Sequence, residues 1–254
     1  MIIDSYTILL FIIGLMVGSF LNVVIYRLDD LKTIISDRSH CLSCGKKIAW
    51  YDLIPIVSFI LLRTRCRQCG AKISWQYPAV ELGTGFMFSL LYLFRGFDLG
   101  LIFYLIIFSL LLVVFVYDLK TETVPEIFVW ATLVLSLLGG WYFADLGLGS
   151  ALLGALIGGG FLALLVVLSK EQWMGAGDIK IGLIMGLLTG YPGVLLSLFA
   201  AFFLGSIVGI IMIALKKRTL KQSLPFAPFL IAATLFGVLY GNYLIAIYLS
   251  NIYY

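Results

Sequence analysis

The sequence is poor in charged residues. Only 12% of its 254 residues are charged, while 62% are hydrophobic and the mean hydropathy is +1.11; soluble domains carry roughly 25% charged residues. This composition excludes an ordinary soluble protein and indicates an integral membrane protein. No Gly-x-x-x-x-Gly-Lys-Ser/Thr sequence occurs, so the motif typical of nucleotide hydrolysis is absent as well.

Long apolar runs make up most of the chain. A helix needs about 20 apolar residues to cross a bilayer, and the sequence predicts an all-α polytopic membrane protein with about eight transmembrane helices. No Lys or Arg precedes the first run and no small-residue cleavage site follows it, so we expect a retained helix rather than a signal peptide. The predicted helices span residues 6–26, 79–94, 100–117, 127–144, 150–168, 179–190, 193–215 and 225–248.

The positive charge is distributed asymmetrically along the chain. If the amino terminus lies outside the cell, every Lys and Arg except Arg95 falls on the cytoplasmic side, which follows the positive-inside rule. The distribution of Lys and Arg therefore predicts the orientation of the chain in the membrane and its contact with lipid. We expect no nucleic-acid partner.

Two aspartates stand where apolar runs end or begin. Asp118 ends one run, and Asp178 follows Gly175-Ala176-Gly177 at the start of another. An ionisable group near hydrocarbon is costly enough to suggest function, although acids that simply mark helix ends in water are the alternative. The predicted topology puts both at the cytoplasmic face, where Gly175 and Gly177 would permit a tight turn and the close approach of a peptide backbone. We therefore favour Asp118 and Asp178 as a catalytic pair.

The cysteines form two Cys-x-x-Cys-Gly sequences, each of which resembles a zinc knuckle. Two such pairs supply the four thiolates of a tetrahedral site, which leaves no open position for a catalytic water and so predicts a structural zinc. Redox-active dithiols or two disulfides are the alternatives, but thiols on the cytoplasmic side of a membrane stay reduced. His40 precedes the first pair and could replace a ligand. The expected ligands are Cys41, Cys44, Cys66 and Cys69.

The region around the cysteines has further features. Residues 53–62 are apolar except for Ser58 but too few to span a bilayer, so we expect them to lie on the membrane surface or to pack within the small domain. Asn22 is expected to form interhelical hydrogen bonds, while the role of Glu81 stays open. The predicted divisions are a first transmembrane helix (1–28), a cytoplasmic zinc-ribbon-like segment (29–78) and a seven-helix core (79–254).

Several motifs, taken in order, cover nearly the whole chain and resemble those of one enzyme family, the bacterial type IV prepilin peptidases. They are Gly18-Ser19-Phe20-Leu21-Asn22-Val23-Val24-Ile25-Tyr26-Arg27, the two Cys-x-x-Cys pairs, Trp50-Tyr51-Asp52-Leu53-Ile54-Pro55, Tyr77-Pro78-Ala79-Val80-Glu81-Leu82, Tyr117-Asp118-Leu119, Gly175-Ala176-Gly177-Asp178-Ile179-Lys180 and Pro225-Phe226-Ala227-Pro228-Phe229.

This resemblance implies a membrane-embedded aspartic protease of the Gly-x-Gly-Asp class. Such enzymes cleave the short leader of prepilins or pseudopilins after a glycine, at the cytoplasmic face of the bacterial inner membrane, and often methylate the new amino terminus with S-adenosylmethionine. The resemblance also implies that Asp118 and Asp178 are the catalytic pair and that the four cysteines form a cytoplasmic metal-binding segment. Val124-Pro125-Glu126 and Ala227 depart from the usual Ile/Leu-Pro-Asp and Gly. We expect neither departure to touch the pair, so that they affect substrate contacts rather than proteolysis.

Other function classes explain fewer of these residues. A transporter would place intramembrane acids near the midplane and in repeated halves, and the sequence has no such long repeat. A non-enzymatic zinc-ribbon adaptor would account for the cysteines but for neither aspartate. A peptidase without methyltransferase activity remains open, because the sequence alone identifies no pocket for S-adenosylmethionine.

Overall fold

The protein is all-helical over the part of the chain that the computed structural model describes, residues 4–28, 33–34, 37–216 and 224–252. These ranges contain no strand, only the isolated bridges His40–Lys47 and Arg65–Lys72, so the predicted all-α fold is confirmed. Residues 29–32 and 35–36 of the predicted cytoplasmic segment lie outside them. The helices are α1 (Ser5–Tyr26), α2 (Val57–Leu61), α3 (Gln76–Arg95), α4 (Leu99–Thr121), α5 (Glu126–Leu135, continued by a π-helical turn, Ser136–Gly140, and Trp141–Phe143), α6 (Leu148–Ser169), α7 (Ala176–Ala214) and α8 (Ala227–Ile252).

Five helical stretches in the described ranges are long and apolar enough to cross a membrane. The longest, α7, has non-helical dihedral angles at Gly190 and Tyr191, followed by Pro192, so two helical halves meet where the sequence predicts a break. Neither α3 nor the described part of α8 is among the five, so the predicted count of eight transmembrane helices is not confirmed. The five stretches are Ser5–Tyr26, Leu99–Thr121, Glu126–Phe143, Leu148–Ser169 and Ala176–Ala214.

The chain divides into two compact units, and the first, Met1–Leu101, is built on the packing of α1 against α3. Asp4 caps α1, since its Oδ1 accepts a hydrogen bond from the Thr7 amide at 2.9 Å. Gly18 lets the two backbones approach, because a Cβ at this position would lie 2.8 Å from the Cα atom of Glu81. The side chain of Glu81 is thereby held next to α1.

Asn22 joins the end of α1 to the start of α3. Its side chain is almost fully buried, and its Nδ2 donates a hydrogen bond to the Tyr77 carbonyl oxygen at 3.1 Å. The predicted interhelical hydrogen bond is therefore confirmed. One turn later, the ring of Tyr26 stacks on that of Tyr77, with centroids 5.3 Å apart and an interplanar angle of 12°.

The apolar residues 53–62 follow a short 3-10 turn, Trp50–Leu53, and include α2. Phe59 is buried and meets Trp75 edge to face, with ring centroids 4.9 Å apart. Ile60 and Leu61, by contrast, are 66% and 74% exposed. The segment therefore packs into its unit through Phe59, as one of the two sequence alternatives predicts, and leaves an apolar surface uncovered.

The second unit, Ile102–Tyr254, is centred on α7, since α5, α6 and α8 all pack against it. Small residues bring α6 close, because a Cβ on Gly154 would lie 2.9 Å from the carbonyl carbon of Gly190. Val129 of α5 and Leu230 of α8 are completely buried. This packing fixes α7 on several sides and thereby positions its first turn.

Candidate active site and candidate metal centre

Asp118 and Asp178 come together within the second unit. Asp118 lies in the last turn of α4, and Asp178 lies in the first turn of α7. The two residues are only 3% and 5% exposed, and Asp118 is near enough for its charge to influence the carboxyl group of Asp178. The structure therefore buries two interacting carboxyl groups at the ends of two helices that are far apart in sequence.

Each carboxyl group meets a backbone amide from the start of a helix. Asp178 accepts a hydrogen bond from the N–H of Gly175, the residue that caps α7. Asp118 accepts one from the N–H of Ala227, the first residue of α8. Because the free N–H groups at a helix N-terminus favour negative charge, both positions can accommodate a carboxylate despite their burial.

One oxygen of the pair has no partner. Asp118 Oδ2 is buried and forms no hydrogen bond with any of the described residues, while the charge of Glu122, one turn later, also acts on Asp118. Leaving a buried polar group unsatisfied costs about 1–3 kcal/mol, and a catalytic role is one explanation for such a group in a native protein. A reacting group that forms a hydrogen bond with Oδ2 would remove that cost.

The two glycines before Asp178 have different surroundings. A Cβ on Gly177 would lie 2.9 Å from Cγ2 and 3.0 Å from Cβ of Val124. Gly175 has an ordinary extended conformation, and a Cβ there would meet only the Gly177 nitrogen, at 4.0 Å. Packing therefore requires glycine at 177, whereas the exposed backbone at 175 is open to the approach of a peptide chain.

The four cysteine thiols form a cluster in the first unit. Their sulfur atoms all lie within 4.8 Å of one another, and the sulfurs of Cys41 and Cys69 are 3.8 Å apart. All four are free thiols, so the structure contains neither of the two disulfides considered from the sequence. His40 is exposed, with its Nδ1 3.3 Å from the Arg38 carbonyl oxygen, and does not belong to the cluster. The cluster could hold one metal ion through four sulfur ligands.

Both Cys-x-x-Cys pairs use the same backbone turn. The amide of Gly45 donates to the carbonyl oxygen of Cys41 at 2.8 Å, and the amide of Gly70 donates to that of Cys66 at 2.9 Å. Both glycines have a φ of +70°, in the left-handed region that side chains rarely adopt. This conformation explains why glycine follows each pair in the sequence.

Backbone amides also favour the thiolate form that a metal needs. Hydrogen bonds from the amides of Cys44 and Ser43 lower the pKa of the Cys41 thiol to about 6. A thiol binds a metal as its thiolate, so at neutral pH this sulfur is ready to act as a ligand.

Sequence reasoning missed an ion pair that braces the second knuckle. Arg67 lies between Cys66 and Cys69, and its Nη2 and Nε donate to the two carboxylate oxygens of Asp52 at 2.7 and 3.0 Å. Its guanidinium carbon also lies 5.3 Å from the centre of the Tyr51 ring. The Trp50-Tyr51-Asp52 motif draws attention to Asp52 in the sequence, but nothing in its spacing identifies Arg67 as the ion-pair partner of Asp52.

Two family models match the chain. One, described as the bacterial peptidase A24 N-terminal domain, matches residues 12–94, and the other, described as the type IV leader peptidase family, matches residues 105–210. A relative from Bacillus subtilis, named prepilin leader peptidase/N-methyltransferase, is 32% identical over 95% of this chain and 97% of its own length. The chain belongs to the type IV leader peptidase family.

Further relatives carry the same name. One from Aeromonas salmonicida is 30% identical over 97% of this chain and 95% of its own length. Another, from Pseudomonas aeruginosa, is 27% identical over 94% of this chain and 92% of its own length. No solved structure matches the chain. The second family model spans both Asp118 and Asp178, and the first spans all four cysteines.

The departures from the family pattern lie closer to the aspartates than we expected from the sequence. Val124 packs against Gly177, Glu126 forms an ion pair with Lys180 of α7, and the backbone amide of Ala227 contacts Asp118. The expectation that neither departure touches the pair is wrong for Ala227, whereas Val124 and Glu126 contact Gly177 and Lys180, the neighbours of Asp178. The reason is that tertiary packing brings these segments onto the first turn of α7 and the last turn of α4. Because Ala227 acts through its backbone, alanine supplies the same N–H that glycine would.

Gly177→Ala is expected to destabilise the protein, whereas Gly175→Ala is not. The added methyl group would overlap Val124, and overpacking of this kind typically costs about 1–3 kcal/mol. The melting temperature of each purified variant in detergent measures the difference. The double variant Gly177→Ala/Val124→Ala, which removes the overlapping atoms, should recover much of the loss. Equal stability of all the variants would contradict the packing role of Gly177.

Proposed function

We propose that this chain is a membrane-embedded aspartic endopeptidase that removes the leader from type IV prepilin-like or pseudopilin precursors and N-methylates the new amino terminus. The observation that carries the proteolytic half is the buried pair, Asp118 and Asp178, with one carboxyl oxygen left without a partner. The names of the full-length relatives support both activities. A zinc-ribbon adaptor would leave this pair without a role, and a transporter would place such acids near the midplane and in repeated halves.

The two carboxyl groups are sufficient for peptide hydrolysis without a nucleophilic side chain. Two like charges at close range cannot both stay ionised, so the pair shares one proton. The ionised aspartate removes a proton from water, whose oxygen attacks the scissile carbonyl carbon while the protonated aspartate polarises the carbonyl oxygen. The C–N bond then breaks, and a proton passes to the leaving amine.

The approach of the substrate is favoured at the exposed Gly175-Ala176 backbone. Gly175 and Ala176 closely precede Asp178 in the sequence. A substrate backbone that approaches Gly175 would meet no side chain at that residue. The Gly-containing leader junction could unwind at this point while the apolar segment of the precursor stays in the bilayer. Gly175 and Gly177 thus have separate roles in this proposal, access for the first and packing for the second.

The metal of the cysteine cluster is proposed to be a structural zinc ion. Four thiolates in tetrahedral arrangement are its usual structural ligands, and the repeated turns and the hydrogen bonds to Cys41 favour such a set. Bound by four sulfurs, the ion would have no open position for water, so it would stabilise the segment rather than take part in hydrolysis.

The enzyme is proposed to lie in the bacterial cytoplasmic membrane with its amino terminus outside and residues 29–78 in the cytoplasm. The distribution of Lys and Arg supports this orientation, and the apolar helices support multiple passes. In the proposed division, residues 1–28 form the first transmembrane helix and residues 79–254 the protease core. Its partners would be prepilin precursors and lipid, with no nucleic acid.

Co-expression with a prepilin in a bacterium that lacks its own prepilin peptidase tests this proposal. We expect a shorter prepilin whose mass corresponds to loss of the leader and gain of one methyl group. An unprocessed precursor, in cells whose membranes contain the full-length protein, would contradict the proteolytic activity. A shortened but unmethylated product would contradict the methyltransferase activity alone.

A further inference from the structure

The first unit contains a cavity of about 620 Å³ that is lined only by residues of that unit. It lies among the last turns of α1, the first turns of α3 and the cysteine segment. Pockets that bind small molecules usually have volumes of about 300–1,000 Å³. The cavity therefore has room for one ligand of the size of a nucleoside derivative.

Glu81 contributes a buried carboxyl group to the wall of this cavity. It is 6% exposed and stands on α3, and its Oε2 accepts a hydrogen bond from the Ile56 amide at 2.8 Å. Ile56 has a φ of +61°, which is strained for a β-branched residue and is typical of residues held in place near functional sites. A carboxylate has about four acceptor positions, so Glu81 can accept further hydrogen bonds from a ligand.

Aromatic and amide groups face the same cavity. The stacked rings of Tyr26 and Tyr77 both line it, and an aromatic face attracts planar bases and cations. Asn22 also lines the cavity and fixes the backbone of Tyr77 through its hydrogen bond. The three residues Ser19, Asn22 and Tyr26 share one face of α1, so the helix presents a continuous polar and aromatic surface to the ligand.

The cavity also has positive charge at its edge. Lys46, Lys47 and Lys72 belong to its lining, and all three are exposed. A ligand with a free carboxylate could pair with one of these ammonium groups while its remainder lies deeper, against Glu81 and the tyrosines. The site thus offers acceptors for hydroxyl groups, an aromatic face and cations for an anionic end.

We propose that this cavity binds S-adenosylmethionine, with Glu81 as the acceptor for the ribose hydroxyls and the Tyr26–Tyr77 pair against the adenine ring. A carboxylate that accepts hydrogen bonds from ribose hydroxyls is a common device in nucleotide-binding sites. S-adenosylmethionine supplies an activated methyl group on a cationic sulfur, and its amino-acid carboxylate would meet the lysines. The assignment rests on the methyl transfer in the proposed function, and it gives Glu81 and Asn22 roles that proteolysis does not require.

Calorimetric titration of the purified full-length protein with S-adenosylmethionine tests the assignment. The wild type should bind one equivalent per chain, and Glu81→Gln should weaken binding about tenfold or more, because a neutral amide replaces a charged acceptor. The circular-dichroism spectrum and the melting temperature of the Glu81→Gln preparation should show that this variant is folded, so that weaker binding reflects the loss of the charged acceptor. Glu171→Gln, which changes an exposed glutamate between α6 and α7, should bind as the wild type does.

The possible failures are distinguishable. If Glu81→Gln binds S-adenosylmethionine as tightly as the wild type, the cavity is not the site, whereas methyl transfer by the wild type would still stand. If the wild type cleaves the leader but neither binds the donor nor methylates, the methyltransferase half of the proposed function fails together with the cavity assignment.

Photo-crosslinking of the wild type tests the assignment of the cavity if the Glu81→Gln variant does not fold. A photoreactive adenosine analogue of S-adenosylmethionine should label peptides that contain Tyr26 or Tyr77, and unlabelled S-adenosylmethionine should suppress this labelling. Specific labelling confined to residues 102–254 would overturn the proposal.

Discussion

Asp178→Asn is expected to abolish leader cleavage while leaving the protein folded in the membrane. Asn has nearly the same size and can still accept the hydrogen bond from Gly175, but it can neither take a proton from water nor hold one for the leaving amine. A general acid or base contributes about 10²–10⁴-fold to a rate, so the initial rate of leader release should fall by at least this factor. The same loss is expected for Asp118→Asn, because residues that act as a unit lose function together.

Asp145→Asn is the matched control for these variants. Asp145 is exposed, and its φ of +55° is a conformation that Asn tolerates well. This change removes one carboxylate from the same unit without straining the backbone, and the variant should cleave the leader at the wild-type rate. Substantial cleavage by Asp118→Asn or Asp178→Asn, at a rate near that of the control, would show that the pair is not catalytic.

The double variant Cys41→Ser/Cys66→Ser is expected to lose the metal that the wild type carries, about one zinc per chain. It removes one thiolate from each knuckle and leaves two ligands. Structural zinc contributes roughly 10–16 kcal/mol of apparent binding free energy in zinc-finger peptides, so the cysteine segment should also become sensitive to added protease. Elemental analysis by mass spectrometry and limited proteolysis measure the two effects.

Ser43→Ala is the matched control for this double variant, because it changes a residue of the first knuckle and keeps all four cysteine ligands. It keeps the backbone amide that faces the Cys41 sulfur, so the variant should retain its zinc and its resistance to protease. A wild-type protein without metal, with its cysteines free or joined as disulfides, would overturn the zinc assignment.

The sequence was most informative where chemistry depends on local spacing. The two Cys-x-x-Cys-Gly sequences predicted a four-sulfur cluster, since a glycine in left-handed conformation follows each pair in the same turn. Asp118 and Asp178 could be singled out because charge is rare among long apolar runs. Both predictions needed only the residue type and its position at the edge of a segment.

The remaining features depend on contacts between residues that are distant in sequence. Ala227 reaches Asp118 across more than a hundred residues, and Ile56 supplies its amide to Glu81 from a separate loop. No periodicity marks such contacts, since they arise only when helices pack. The predicted count of eight membrane helices is not confirmed, because neither α3 nor the described part of α8 is among the stretches that are long and apolar enough to cross a membrane.

The mass of a prepilin after incubation with the purified full-length protein in detergent tests the central claim most directly. The wild type should yield two products whose masses add up to the precursor plus one water molecule, with a single bond broken at the end of the leader. With S-adenosylmethionine present, only the mature product should gain a methyl group. The claim that Asp118 and Asp178 catalyse leader cleavage would be contradicted if folded wild-type protein left the precursor unchanged. It would also be contradicted if the Asp118→Asn/Asp178→Asn double variant gave the same products as the wild type.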